Sequence, residues 1–201
     1  LSLHDALPIL GTSVAFKHAA GSTDGQIGIL QTTDFTDPPS KVYSCVVFKQ
    51  SANYVQHGAG TKFIYTPQNG SSTRPIALQM YPINRSAGAG GHFRWRMEMQ
   101  SSDSQKLYEN NVAASDMTPG TWYRLEFLTA MNTPGVKDGT LMWWTSEWNG
   151  SSWSTPVLNA RHTNVLIASS GMPATWRKWE YNLYYGGQGS GPIPADQFIV
   201  M

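Results

Sequence analysis

Two alternating aromatic runs joined by a glycine-marked turn, Trp122-Tyr-Arg-Leu-Glu-Phe-Leu-Thr129 and Thr140-Leu-Met-Trp-Trp144, constrain the fold of this chain more than any other feature. In the first run Tyr123, Leu125 and Phe127 share one face and Arg124 and Glu126 the other, the period-two pattern of a strand with one buried side. Pro134-Gly135 and Asp138-Gly139 supply the turn. In the second run Met142 and Trp144 oppose Leu141 and Trp143, so both faces are apolar. Large aromatics dominate core burial, so the expectation is a pair of tryptophans covered in a sandwich core, the alternative being a flat ligand on one face.

Strand-like runs recur at Ile27 to Gln31, Val42 to Gln50, Thr61 to Thr66, Ile76 to Tyr81, His92 to Gln100, Trp122 to Thr129, Thr140 to Ser146, Val165 to Ala168 and Arg177 to Tyr185. Turn-forming clusters separate them, at Asp37 to Ser40, Gln68 to Ser72, Ala87 to Gly91, Asn149 to Ser152 and Gly186 to Pro194. No helical period persists for three turns, although Ser115 to Thr121 has room for a short helical turn. Many short strands at this spacing define a β-sandwich or barrel. The 201 residues, 40% of them hydrophobic, bury one sizeable core, so a single domain over residues 10–201 is expected.

Composition narrows the partners. Charged residues make up 13% of the chain and the net charge is +1, which leaves no basic field to hold nucleic acid or an anionic membrane surface. No apolar run approaches the roughly 18 residues of a membrane helix. Eight Trp and nine Tyr in this low-charge background fit exposed aromatic surfaces of the kind glycan-handling domains use. Cys45 is the sole cysteine, which excludes an internal disulfide; its neighbours mark it as a small buried hydrophobe.

The opening Leu1-Ser-Leu-His-Asp-Ala-Leu-Pro-Ile9 resembles a translated sequencing adapter, so His4 and Asp5 are not enlisted in any chemistry. The closing Asp196-Gln-Phe-Ile-Val-Met201 reads as a strand cut short. Both ends are therefore expected to be truncated.

Tyr43 to Lys49, the Ser51 to Lys62 segment with His57-Gly-Ala-Gly-Thr-Lys62, the aromatic hairpin, and Tyr184-Tyr-Gly-Gly-Gln-Gly-Ser-Gly191 together resemble concanavalin A-like lectin/glucanase jelly rolls, more narrowly bacterial proteins related to polysaccharide lyases. The likeness spans about Phe16 to Met201. It implies an all-β jelly-roll sandwich of two bent antiparallel sheets, the concave face of one forming an open cleft for an oligosaccharide, in an extracellular or periplasmic protein. Alginate lyases of this fold carry an Arg-x-Glu-Leu-Arg strand, a Gln-x-His strand and a Tyr-Phe-Lys-x-Gly-x-Tyr strand. Arg94-Trp-Arg96-Met-Glu98 is loosely similar to the first, no Gln-x-His occurs, and Tyr181-Asn-Leu-Tyr184 lacks the lysine of the third.

The most suggestive polar strand is His92-Phe-Arg-Trp-Arg-Met-Glu-Met-Gln100, with His92, Arg94, Arg96, Glu98 and Gln100 on one face and Phe93, Trp95, Met97 and Met99 on the other. A uronic-acid polymer needs cationic forks for its carboxylates, and arginine offers that geometry. The opposite reading is a solvated outer face laced with ion pairs. In Arg177 to Tyr185 the corresponding stripe is Lys178, Glu180, Asn182 and Tyr184. In a β-eliminating lyase a Tyr or His removes the proton next to the carboxylate while Arg, Asn or Gln stabilises the anion. Tyr184 or His57 is the base on this reading, and Arg94 or Arg96 holds the carboxylate. His57 sits in a glycine-rich loop, where it either reaches the cleft rim or caps the loop.

Other chemistries are weaker. The Glu-x-Asp-x-x-Glu strand of sandwich glucanases is absent, and a retaining pair about 5 to 5.5 Å apart would have to come from Glu98 and Glu126 on neighbouring strands. His18 and His162 lack companions at zinc-ligand spacing, so no metal is assigned. A structural calcium at Asp103, Asp138 or Asp196 is the one cofactor entertained. Asn69-Gly-Ser71, Asn84-Arg-Ser86 and Asn149-Gly-Ser151 read as turns. The sequence thus favours a carbohydrate-binding domain whose substrate-binding residues are Arg94, Arg96, Glu98, Gln100, Lys178, Asn182 and Tyr184. A polysaccharide lyase with Tyr184, His57 and Arg94 as catalytic residues is the alternative, and a structural or adhesive domain the third reading.

Overall fold

Alternation of apolar and polar side chains resolves the chain into strands throughout. The structure is a computed structural model, and it describes residues 13–23, 26–70, 74–83, 91–100, 106–185 and 192–201. In chain order these hold β1 (Ala15–His18), β2 (Gln26–Gln31), β3 (Lys41–Gln50), β4 (Thr61–Ile64), β5 (Ile76–Pro82), β6 (Phe93–Met99), β7 (Leu107–Tyr108), β8 (Trp122–Ala130), β9 (Gly139–Glu147), β10 (Val157–Val165), β11 (Glu180–Tyr185) and β12 (Gln197–Val200). They form two six-stranded antiparallel sheets, ordered β1-β12-β3-β8-β9-β10 in sheet A and β2-β11-β4-β5-β6-β7 in sheet B. The chain is an all-β sandwich of the jelly-roll type.

The inner faces of both sheets build the core. Phe48, Leu125, Phe127, Leu141 and Trp143 come from sheet A, and Phe63, Ile76, Leu78, Met80, Phe93, Trp95, Met97 and Leu183 from sheet B, all at most 1% exposed. Phe48, Phe63 and Trp95 meet at centroid separations of 5.0 to 5.4 Å in tilted and edge-on arrangements, which favour aromatic contact. Interdigitation of two inner faces is how a sandwich core forms. Trp143 fills this core, whereas Trp144 stands half-buried on the outer face of sheet A.

Several expectations change. Of the run expected at Val165 to Ala168 only Val165 is strand, the last residue of β10, which starts eight residues earlier at Val157; its polar Asn159 to Asn164 stretch hides the strand from a hydrophobicity reading. Ser115 to Thr121 is no helix: Met117 bridges Phe93, and a turn follows at Gly120, whose φ is +90°. The strand expected in the Asp196 to Met201 segment is present as β12, held between β1 and β3. Cys45 is exposed, because Lys41, Tyr43 and Cys45 are the residues of β3 that point away from the core. The Asn149 to Ser152 segment is a turn, its Asn149 side chain accepting from the Ser151 and Ser152 amides. Residues 1–9, Asn84, Asp103 and the 186–191 part of the glycine-rich loop lie outside the described residues.

Candidate functional site

On sheet B, the inward positions are spoken for by the core, so the alternate positions of β4, β5, β6 and β11 make one polar face. This face carries Lys62, Gln79, Tyr81, Arg94, Arg96, Glu98, Glu180, Asn182 and Tyr184. The residues expected on β6 and β11 therefore share one sheet and one side of it, separated by β4 and β5. Register places a row across the strands. Tyr185 pairs with Thr61, Lys62 with Gln79 and Gln79 with Arg96, so Tyr184, Lys62, Gln79 and Arg96 follow one another.

Arg96 is the fixed point of the row. Its guanidinium carbon lies 3.6 Å from the centre of the Tyr81 ring, and its Nη2 donates to Gln79 Oε1 at 3.2 Å and to the Ala59 carbonyl at 3.3 Å. The Gln79 amide in turn donates through Nε2 to Glu98. Because arginine only donates and an ionised carboxylate only accepts, these partners fix which end of the Gln79 amide points where. Arg96 is 8% exposed, so its cation stands in a site poor in water, where it attracts an anion more strongly than at an open surface.

At the other end Lys62 joins Tyr184. The ammonium lies 4.2 Å from the Tyr65 ring centre and 5.1 Å from that of Tyr184. Burial holds the Lys62 pKa below the ordinary lysine value, with Arg74 acting in the same direction and Glu98 opposing it. Burial likewise pushes the Tyr65 phenol up. Next to this pair Glu180, 1% exposed, takes ion pairs at 3.0 Å from both Arg74 and Lys178, and Lys178 also donates to Gln31 at 2.9 Å. Asn182 Oδ1 is buried and has no hydrogen-bond partner among the described residues.

The remaining sequence-derived residues sort by position. Arg94 is on the same face but bound to Asp116 at 2.5 Å. Gln100 lies just past the end of β6, its backbone N–H on the Pro75 carbonyl. Of the two roles open to His57 the structure shows the loop cap and not the base: it is fully buried, its ring packs edge-on at 5.0 Å against Tyr185, which faces the core, and its Nδ1 accepts from the Ala59 amide at 3.0 Å. The glycines around it fold the loop back on itself, which makes His57 a loop cap with no surface to offer a glycan. Glu98 and Glu126 lie on different sheets and form no carboxylate pair; Glu126 faces outward beside Arg124. Asp138 is taken up by Thr133, and Asp196 by Lys17 at 2.6 Å and the Ala20 amide.

Lys62, Gln79, Tyr65, Tyr81 and Arg74 went unnoticed in the sequence. Lys62 is a single cation at the start of a strand, and only the pairing of β4 with β11 gives it Tyr184.

An antiparallel jelly-roll sandwich with a cationic and tyrosine-bearing face on one sheet is the class these observations define. Among solved structures, the chain is similar to an alginate lyase, Aly36B, held in complex with an alginate trisaccharide, at 14% identity and a TM-score of 0.61 over 94% of this chain and 77% of that one. A second Aly36B structure, with an alginate tetrasaccharide, matches at 12% identity and a TM-score of 0.58 over 94% and 78%. An endo-β-1,4-glucuronan lyase from the fungus Trichoderma reesei matches at 10% identity and a TM-score of 0.54 over 94% and 77%. No family model matches the chain, and no curated protein does. At these identities the likeness is one of fold, shared with polysaccharide lyases.

Proposed function

We propose that this chain is a polysaccharide lyase that cleaves a uronic-acid-containing glycan by β-elimination, the reading placed second on sequence alone. The observation that carries it is the Lys62 and Tyr184 pair, the ammonium 5.1 Å from the centre of the tyrosine ring, set in one row with a buried arginine. A binding face needs no group with a lowered pKa; a base does. The fold shared with alginate and glucuronan lyases supports the same reading.

On this reading the reaction divides as follows. Arg96, braced by Gln79 and Tyr81, neutralises the uronate carboxylate and so acidifies the adjacent C5–H. Lys62, whose amine burial makes easier to deprotonate, takes that proton. The freed electron pair becomes the C4–C5 double bond as the C4–O bond breaks, and Tyr184 gives its phenolic proton to the departing oxygen. Proton return from the Lys62 ammonium to the Tyr184 phenolate through solvent resets the pair. Asn182 and Lys178 border the pair and contact sugar hydroxyls.

Mass analysis of products from a panel of acidic polysaccharides tests the proposal. Elimination gives fragments whose masses sum to that of the parent with no water added. Fragments heavier by one water would mean hydrolysis, and retention on the glycan with no fragments would restore the binding-domain reading.

A further inference from the structure

Tyr65, one of the two aromatic walls beside the Lys62 ammonium, lies one residue past the end of β4, where the ladder to β5 has already stopped at Ile64. What holds it there is β11 and one side chain. Its N–H donates to the Glu180 carbonyl at 3.4 Å, and its own carbonyl accepts from Arg74 Nε at 3.1 Å. The Arg74 guanidinium also lies 5.4 Å from the centre of the Tyr65 ring, the ring against which the Lys62 ammonium rests at 4.2 Å. Arg74 is anchored in turn. Its Nε and Nη2 donate at 3.2 and 3.0 Å to Oε2 of Glu180, whose Oε1 pairs with Lys178 at 3.0 Å. Glu180 and Tyr184 share one face of β11, so a path from Glu180 through Arg74, Tyr65 and Lys62 returns at Tyr184 to the strand it left.

Stability alone does not account for this chain of contacts. Withdrawing a carboxylate and a guanidinium from water offsets most of their attraction, so a buried ion pair is weak evidence for a stabilising role. Its charges bear instead on Lys62. Tyr65 faces the amine from its own strand, Tyr184 from β11 with Glu180 and Lys178 further along, Arg74 from the approach to β5, and Glu98 and Arg96 from β6; the β5 neighbour Gln79 is uncharged. Glu98 favours the ammonium, whereas Arg74, a like charge, disfavours it along with burial.

We infer that Arg74 is a positioning residue: anchored on Glu180, it fixes the Lys62 amine beside Tyr184 through Tyr65 and touches no substrate itself. Its bearing on turnover rests on the lyase reading; its hold on Lys62 does not.

The test reads Lys62 directly as well as turnover, in the whole protein. Trace labelling with acetic anhydride, with the Lys62 peptide quantified by mass, gives the pH at which the amine becomes reactive, and polyuronate cleavage gives kcat and KM. Arg74→Met removes the cation and leaves Glu180 less neutralised. Both changes favour the ammonium, so labelling of Lys62 should begin at higher pH than in the wild type. The acid limb of kcat should move the same way, with kcat about tenfold lower and KM within about twofold. Arg74→Lys keeps a cation for Glu180 and should bring the labelling profile back toward the wild type. An equal shift in Arg74→Lys would report loosened packing and not the paired cation, and would overturn the inference. A rise in KM with kcat unchanged would put Arg74 on the substrate and overturn it too. Wild-type cleavage with no labelling shift in Arg74→Met removes the positioning role and leaves the lyase standing. A labelling shift with no cleavage by any of the proteins keeps the hold on Lys62 and removes the lyase, and absence of both overturns both.

Discussion

Lys62 is the residue on which the account turns, and its environment fixes the sign of two effects. Burial lowers its pKa from the ordinary 10.5, so activity should climb with pH as the amine loses its proton. Lys62→Met should lower kcat about a hundredfold or more, the usual contribution of a positioned base. The same shift is a stability statement. Between the lowered value and 10.5 the unfolded chain holds more protons than the folded one, so stability contributed by this group rises with pH. At neutral pH the charged lysine therefore costs stability. Lys62→Met should melt higher than the wild type near pH 7, with the gain fading above 10.5; a lower melting temperature at pH 7 would contradict the burial argument. Arg94, Arg96 and Tyr184 were legible from strand parity alone, because parity is a local property. Lys62 was not, since its meaning depends on which strand lies beside it.

At the level of the strand, β4 shows how the site is shaped. Its pairing shifts between Lys62 and Ile64 on the β5 side, and a matching shift appears against β11. Phe63 and Ile64 are consequently both buried, and Tyr65 returns to the side of Lys62 three residues on, which regular alternation forbids. Period-two reasoning cannot foresee this, and the sequence run from Thr61 to Thr66 was accordingly read as plain strand. Gly60 leads into it with φ of +94°, and a Cβ there would stand 2.5 Å from Gln79 Oε1. Gly60→Ala should cost about 1 to 3 kcal/mol through backbone strain. It should also lower kcat/KM by pushing Gln79 off Arg96. Denaturant unfolding and steady-state kinetics on one preparation would check both, and an unchanged kcat/KM would mean that Gln79 does not brace Arg96.

Across the whole molecule, the two sheets are joined by a polar link inside the core. His18, 1% exposed on β1 of sheet A, meets the Leu183 carbonyl of sheet B through Nε2 at 3.2 Å and the Tyr54 hydroxyl through Nδ1 at 2.9 Å. A carbonyl only accepts, so Nε2 carries the proton and Nδ1 accepts from Tyr54. Burial lowers the His18 pKa, outweighing the Leu183 contact. The stability it contributes is complete above pH 6.5 and is lost as pH falls through the lowered value, because the unfolded histidine binds a proton first. Burial lowers His162 as well, so urea unfolding between pH 7 and 5 should show this slope in the wild type and a shallower one in His18→Leu; equal slopes would contradict it. The sandwich itself was readable from many short alternating runs, but the strand order was not, because sheet neighbours such as β11 and β4 are more than a hundred residues apart. That order is what joins tyrosine, lysine and arginine into one row. The most direct measurement of their joint role is the ultraviolet absorbance of unsaturated uronate during incubation with polyuronates. A steady rise is expected for the wild type and is lost in both Lys62→Met and Tyr184→Phe. A rise that persists in either variant, or none in the wild type, would contradict it.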